Sequence, residues 1–160
     1  MPQAQLPDVI RVHAPVRIPP NPDAPTRAQI ERLQSAMAPI HCAQPEPEHI
    51  FHPGWYERRL LIPAGMLIIG KVHRHVHPVG VLRGHALLID QFGRREVRAG
   101  FFGASQPGAK RVVYCFEETL FFTLHRNPSN TRDLGEIEAE HIEPEEFELL
   151  GRAPDRGVLQ

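Results

Sequence analysis

The chain has 160 residues, 41% of them hydrophobic, and a formal charge of -1. That is enough for one domain with a sizeable core, and the charge is too balanced to set up a global field toward nucleic acid or an anionic membrane. The two cysteines, Cys42 and Cys115, form no CxxC, so a disulfide framework is not expected and a reducing compartment is the default. No apolar run approaches the ~20 residues of a membrane helix, and Pro2, Pro7 and Asp8 interrupt the first apolar positions, so neither a span nor a signal peptide is expected.

Residues 1–25 read as an arm. Pro2, Pro7, Pro15, Pro19, Pro20, Pro22 and Pro25 oppose helix and interrupt sheet ladders, leaving extended or polyproline-like chain. Such an arm either lies across a neighbouring subunit or stays disordered. Thr26-Arg27-Ala28-Gln29 has the form of a capping box and predicts a helix start. Ile30, Leu33 and Met37 follow helical spacing and make one apolar stripe, which Pro39 ends.

From Ile50 to about His125 the pattern changes to strands and turns. Strands are expected at Trp55–Ile62, Met66–His77 with an interruption near Gly70, Val79–Asp90 passing Gly84, Arg94–Arg98, Phe101–Ser105, Arg111–Cys115 and Thr119–His125. Pro63-Ala64-Gly65, Gln91-Phe92-Gly93 and Gln106-Pro107-Gly108 supply turns between them. Short strands at this spacing predict an all-β sandwich or barrel. After Asn127 the chain turns acidic. Pro144 suits the first turn of a short helix, whose Phe147 and Leu150 would dock on the body. The expected organisation is therefore 1–48 as arm and capped helix, 49–127 as barrel and 128–160 as an acidic tail.

The chemistry concentrates in Lys71–Gly84, KVHRHVHPVGVLRG. On a strand, His73, His75 and His77 would all project from one face, with roughly 6–7 Å between successive Cα atoms. Neutral imidazole is the commonest protein metal ligand. A metal needs ligands from more than one strand, and His125, at the end of the apolar run LFFTLH, is the best partner. His77 is a ligand, a neighbour that orients one, or a proton carrier. Tyr114 and Gln106 are candidates for the cavity mouth, and Glu117 or Glu118 for a base. Cys115 lies in an apolar strand, where a free thiol is usually inert packing. Arg94, Arg95 and Arg98 read as a solvated strand edge, and no P-loop, Rossmann glycine pattern, GxSxG or HExxH is present.

These motifs resemble those of cupins, small barrels of the double-stranded β-helix type. Gly65 or Gly70, then His73-Arg74-His75, then Gly84 is similar to the first cupin motif. Gly100, then Gln106-Pro107-Gly108, then Ala109-Lys110-Arg111 is similar to the second. The glutamate of the first motif falls near Val79 or Gly80, and Arg111 replaces the histidine of the second. The resemblance then implies one of two sites. Either His77 and His125 complete an all-histidine set for Fe, Mn, Ni or Zn, or the barrel has lost its metal and Arg111 binds an anionic ligand through its fork.

The runs GKVHRHVH, SQPGAKRVVY and EETLFFTLH, with RAQIERLQSAM and FHPGWYERRLLIPAG, resemble small cupin-like proteins of tailed phages and prophages. That resemblance implies a cytoplasmic or virion-associated protein and phage assembly partners, and the cupin resemblance implies a homodimer. No nucleic-acid or membrane partner is expected. Three functions follow: a metal-dependent enzyme of the dioxygenase or isomerase class, a non-enzymatic assembly or small-ligand module, and a barrel whose histidines form a polar network without metal.

Overall fold

Thr26 starts the first helix as its sequence predicts. In the computed structural model, which describes residues 19–40 and 44–145, the Thr26 hydroxyl accepts the Gln29 N–H at 3.3 Å and Gln29 Oε1 accepts the Thr26 N–H at 2.7 Å. This reciprocal pair opens α1 (Arg27–Met37), which ends two residues before Pro39. Ile30 is buried against Ile69 and Val112, which stabilises the docking by about 1.5–3 kcal/mol. Leu33 is 40% exposed, so the buried stripe is narrower than the spacing suggests. Residues 1–18 and Cys42 of the expected arm and helix segment lie outside the described residues. Asn21 ties residues 19–25 to their own chain, donating its backbone N–H to the Gln91 carbonyl at 2.9 Å.

Nine strands follow: β1 (Glu48–His52), β2 (Gly54–Ile62), β3 (Leu67–Ile69), β4 (His77–Arg83), β5 (His85–Asp90), β6 (Gly93–Arg98), β7 (Phe102–Ser105), β8 (Val112–Cys115) and β9 (Thr119–Asn127). They form two antiparallel sheets, ordered β1-β2-β9-β4-β7 and β3-β8-β5-β6. From β2 to β5, and again from β6 to β9, the chain passes back and forth between the sheets. This winding is that of a cupin-type double-stranded β-helix, the fold class expected from the sequence. Leu60, Ile62, Val81, Ala86, Leu88, Val97 and Val113 fill the space between the sheets. Helix α1 covers the outer face of the smaller sheet.

Two expected strands are each divided. Val79–Asp90 breaks at Gly84, whose φ of 95° is open to glycine and strained for other residues. Met66–His77 breaks after Ile69; Gly70 keeps one hydrogen bond to the Arg111 carbonyl, and residues 71–76 leave the sheet. An unexpected helix precedes Pro144. α2 spans Leu134–His141, capped by Asp133, whose side chain accepts the Gly135 N–H at 2.8 Å and the Glu136 N–H at 3.2 Å. Pro144 follows this helix, and most of the helix expected to open there lies outside the described residues. Phe147 and Leu150, the expected docking residues, lie outside the described residues.

Candidate metal centre

Strands β2 and β9 set Tyr56 opposite His125, Arg58 opposite Thr123, Leu60 opposite Phe121 and Ile62 opposite Thr119. These residues share the inward face by strand alternation. β4 adds Val79 beside Thr123 and Val81 beside Phe121, with His77 two residues before Val79 on the same face. The interior therefore changes character along its length. One end is aliphatic and aromatic; the other carries Tyr56, Arg58, Thr123, His77 and His125.

His73 reaches this polar end from a loop. Its carbonyl accepts the Gly108 N–H at 2.9 Å, and it forms an isolated antiparallel bridge with Ile142. On either side, Glu143 donates its N–H to the Val72 carbonyl and Arg74 donates its N–H to the His141 carbonyl, both at 2.8 Å. The Arg74 Nε donates to the Ile142 carbonyl at 2.8 Å. The segment after α2 thus takes the place of a strand partner and holds His73 over the barrel mouth.

The rings of His73, His77 and His125 converge. Their centroids are 4.1 Å (73–77), 4.8 Å (77–125) and 5.1 Å (73–125) apart, and one ligand nitrogen from each lies within 4.8 Å of the others. Burial pushes the His73 and His125 pKa values down to about 2 and that of His77 down to about 4, with neighbouring positive charge adding to each shift. All three are neutral at pH 7, the form that ligates metal. The His77 Nδ1–H donates to the His75 carbonyl at 3.2 Å, which leaves its Nε2 lone pair free. His125 Nε2 pairs with the Thr123 hydroxyl at 3.1 Å.

His75 does not join them. Its side chain is 57% exposed, and its Nε2 lies 3.9 Å from a Glu140 oxygen. The alternating HxHxH reading assumes extended chain, whereas Arg74 and His75 form a bend. Residues four apart, His73 and His77, meet across that bend while His75 turns outward. Arg111 is also committed elsewhere. Its Nε and Nη2 donate to Asp90 Oδ2 at 3.1 and 2.8 Å, so its fork is not free for an anionic ligand. Tyr114 lies on β8 of the other sheet, edge-on to Phe116 with centroids 5.2 Å apart, away from the cavity mouth. Gln106 does line the cleft above the triad. Glu118 pairs with Arg83 at 2.5 Å at the far end of β9, roughly 20 Å from His125 along the strand.

Sequence reasoning passed over two groups. His141, at the end of α2, stands with its ring centroid 5.1 Å from that of His125, and its Nε2 donates to the Arg126 carbonyl at 2.8 Å. It sits in a glutamate-rich stretch that reads as a solvated face, so no local pattern marks it. Tyr56 stacks on His125 and shares a 2.6 Å hydrogen bond with His49 Nδ1; burial raises its pKa to about 12. A period-2 reading of WYERRLLI places Tyr56 and Arg58 inside and would have found both.

A cleft of about 680 Å³ opens over two of the three histidines, His77 and His125, and is lined also by Arg74, Gln106 and His141 among others. Its size is ordinary for a small-molecule site. Fold and cleft together define a small double-stranded β-helix barrel with a three-histidine cluster at one mouth.

The chain resembles solved cupin and RmlC-like structures. Ectoine synthase from P. lautus is 15% identical, with a TM-score of 0.47, over 54% of this chain and 67% of that one. KdgF from Halomonas sp. is 14% identical, with a TM-score of 0.46, over 56% and 81%. An RmlC-like cupin of double-stranded β-helix fold from Methanocaldococcus jannaschii is 10% identical, with a TM-score of 0.45, over 56% and 87%. No family model matches the chain, and no curated protein matches it. Among the described residues, no helix is long and apolar enough to cross a membrane.

Proposed function

We propose that the protein is a metal-binding cupin-like protein in which His73, His77 and His125 hold a divalent transition ion at the floor of the cleft. It acts there on a small molecule, in the dioxygenase or isomerase class. One observation carries this reading: three uncharged imidazoles, two buried and one half-buried, have ligand atoms within 4.8 Å of one another, and two of them line a cleft of small-molecule size. Nitrogens bound to a shared ion at about 2.0–2.1 Å lie roughly 3–4 Å apart, a contraction that small ring rotations supply. Imidazole donors suit Fe, Ni and Zn.

Bound metal would supply Lewis-acid polarisation of a substrate oxygen or access to oxygen chemistry. The chain's own groups do the rest. The His75 carbonyl fixes the His77 tautomer, so the outward-turned histidine still orients a ligand through its backbone. His141, with its ring N–H held by Arg126, walls the triad from solvent on the α2 side. Gln106 presents an amide to whatever enters the cleft.

A homodimer belongs to the same proposal. The outer face of the larger sheet presents Trp55, Leu61, Phe102 and Phe122, and Phe102 is 66% exposed. Exposed apolar surface of this kind marks an association site. The finer resemblance, to phage and prophage proteins, rests on the sequence runs quoted above and on nothing in the fold.

The test is metal content by plasma mass spectrometry on untagged protein. Near-stoichiometric metal is expected in the wild type and in His75→Ala, and loss in His73→Ala and His125→Ala. Wild-type protein that carries no metal and cannot be loaded would overturn the reading.

A further inference from the structure

Arg58 projects into the barrel beside the triad, and its Nε and Nη2 are shut off from solvent with no hydrogen-bond partner among the described residues. A guanidinium stays charged in proteins, and a buried unpaired charge is strongly unfavourable. The polar groups around it are engaged elsewhere. The Tyr56 hydroxyl is bonded to His49, the Thr123 hydroxyl to His125, and one oxygen of the Glu138 carboxylate to Lys71; Glu138 acts on Arg58 through its charge without a hydrogen bond. Arg58 also lines a cavity of about 50 Å³ that His73, His125, Thr123 and Glu138 share.

Nε and Nη2 form the side-on edge of the guanidinium, two parallel donors matched to a carboxylate. Arg111 uses the same edge in this chain, its Nε and Nη2 both donating to one oxygen of Asp90. Arg58 lines a cavity with room for roughly one or two waters, about the size of a carboxylate group. The flanking histidines are neutral, and the acidic residue of the lining, Glu138, has its charge shared with Lys71.

We infer that Arg58 and this cavity form a subsite for a carboxylate, so that the small molecule admitted to the cleft is a carboxylic acid anchored beside the histidine triad. The placement of the rest of that molecule rests on the proposed metal site; the anion subsite does not. Position 111, which sequence resemblance singles out for an anion, is already occupied by Asp90. Position 58 supplies the free fork instead.

The experiment is calorimetric titration of the full chain with sodium formate and sodium acetate, with chloride and phosphate at matched ionic strength as comparison anions. The samples are protein as purified, protein stripped of metal by chelator, protein reloaded with Zn²⁺, and the Arg58→Met and Arg58→Lys variants. Unfolding midpoints are recorded with and without formate. The expected result is saturable formate binding in stripped wild-type protein, weakened at least tenfold in Arg58→Met and less in Arg58→Lys. Without formate, Arg58→Met melts no lower than wild type, and its midpoint no longer rises when formate is added.

Absence of saturable formate binding, equal affinity in wild type and Arg58→Met, or tighter phosphate than formate binding would overturn the inference. So would a large drop in the Arg58→Met midpoint without formate, because that would reveal an internal partner such as Glu138. If Arg58→Met does not fold, Arg58→Lys and the wild-type titration still decide. Formate binding in a chain that takes no metal would sink the metal reading and leave the subsite standing; metal loading without formate binding would do the reverse.

Discussion

Lowering the pH below 6.5 should destabilise this fold steeply, before its carboxylates begin to titrate. Burial depresses His73 and His125 to about 2 and His77 to about 4, against about 6.5 in the unfolded chain. The unfolded state therefore binds more protons between pH 6.5 and 4, and stability falls as pH falls through that window. Above about pH 7.5 both states are neutral and the effect vanishes. At pH 5 an unfolded histidine gains about 2 kcal/mol from protonation that its buried counterpart forgoes. Any folded pKa well below 5 gives the same figure. Three such histidines total about 6 kcal/mol, comparable with the whole stability of an ordinary domain. The limiting slope is about 4 kcal/mol per pH unit. Urea unfolding of chelator-treated protein at pH 8, 7, 6 and 5 measures it, and His125→Leu should remove about a third of the slope. A slope below about 1 kcal/mol per pH unit between pH 6 and 5 would mean fewer than one proton taken up, and the neutral buried cluster would be refuted.

Metal affinity of the folded protein should be nearly flat between pH 7.5 and 5.5, because protons do not compete for ligands that are already neutral. Three ordinary histidines would lose about a thousandfold over that range, and competition with a chromophoric chelator distinguishes the two. Gly84→Ala should destabilise by about 2–4 kcal/mol in urea unfolding, since φ is 95° there and a Cβ would collide with the Glu118 carbonyl and approach Thr119 Cα to 2.7 Å; a loss under 0.5 kcal/mol would contradict this. Phe102→Glu should convert a dimer to a monomer in sedimentation equilibrium, and a monomeric wild type would refute the outer sheet face as the contact.

The barrel was legible because its punctuation is local. Glycine and proline turns delimit Trp55–Ile62 and Arg94–Arg98, and the strands found there begin no more than one residue from the expected positions. The capping box of Thr26 is equally local, needing only residues three apart. The site was half legible. His73, His77 and His125 come together; His75 does not, because alternation holds only along extended chain and Arg74 and His75 form a bend. At residues 72–74 the partner is the stretch 141–143, supplied from 69 residues away and after a helix the acidic composition hides. No window around the HxHxH run contains that information.

The interior gradient explains why so polar a cluster is tolerated inside so small a domain. Along β2 the inward positions run Tyr56, Arg58, Leu60, Ile62, and along β9 they run His125, Thr123, Phe121, Thr119 in register. The apolar half carries Leu60, Ile62, Val81, Ala86, Leu88 and Val113, and it supplies the burial that holds the two sheets together. The polar half is then free to carry groups that weaken packing, provided each has a partner. Tyr56, Thr123, His77 and His141 have theirs within the chain. Among the described residues the exception is the Arg58 edge, which asks for negative charge; beside it stand the converging nitrogens proposed to hold a cation. A carboxylate held by Arg58 next to an ion held by three histidines would satisfy both at once. Their adjacency is the reason to expect a bound molecule where an inert core would have placed leucine.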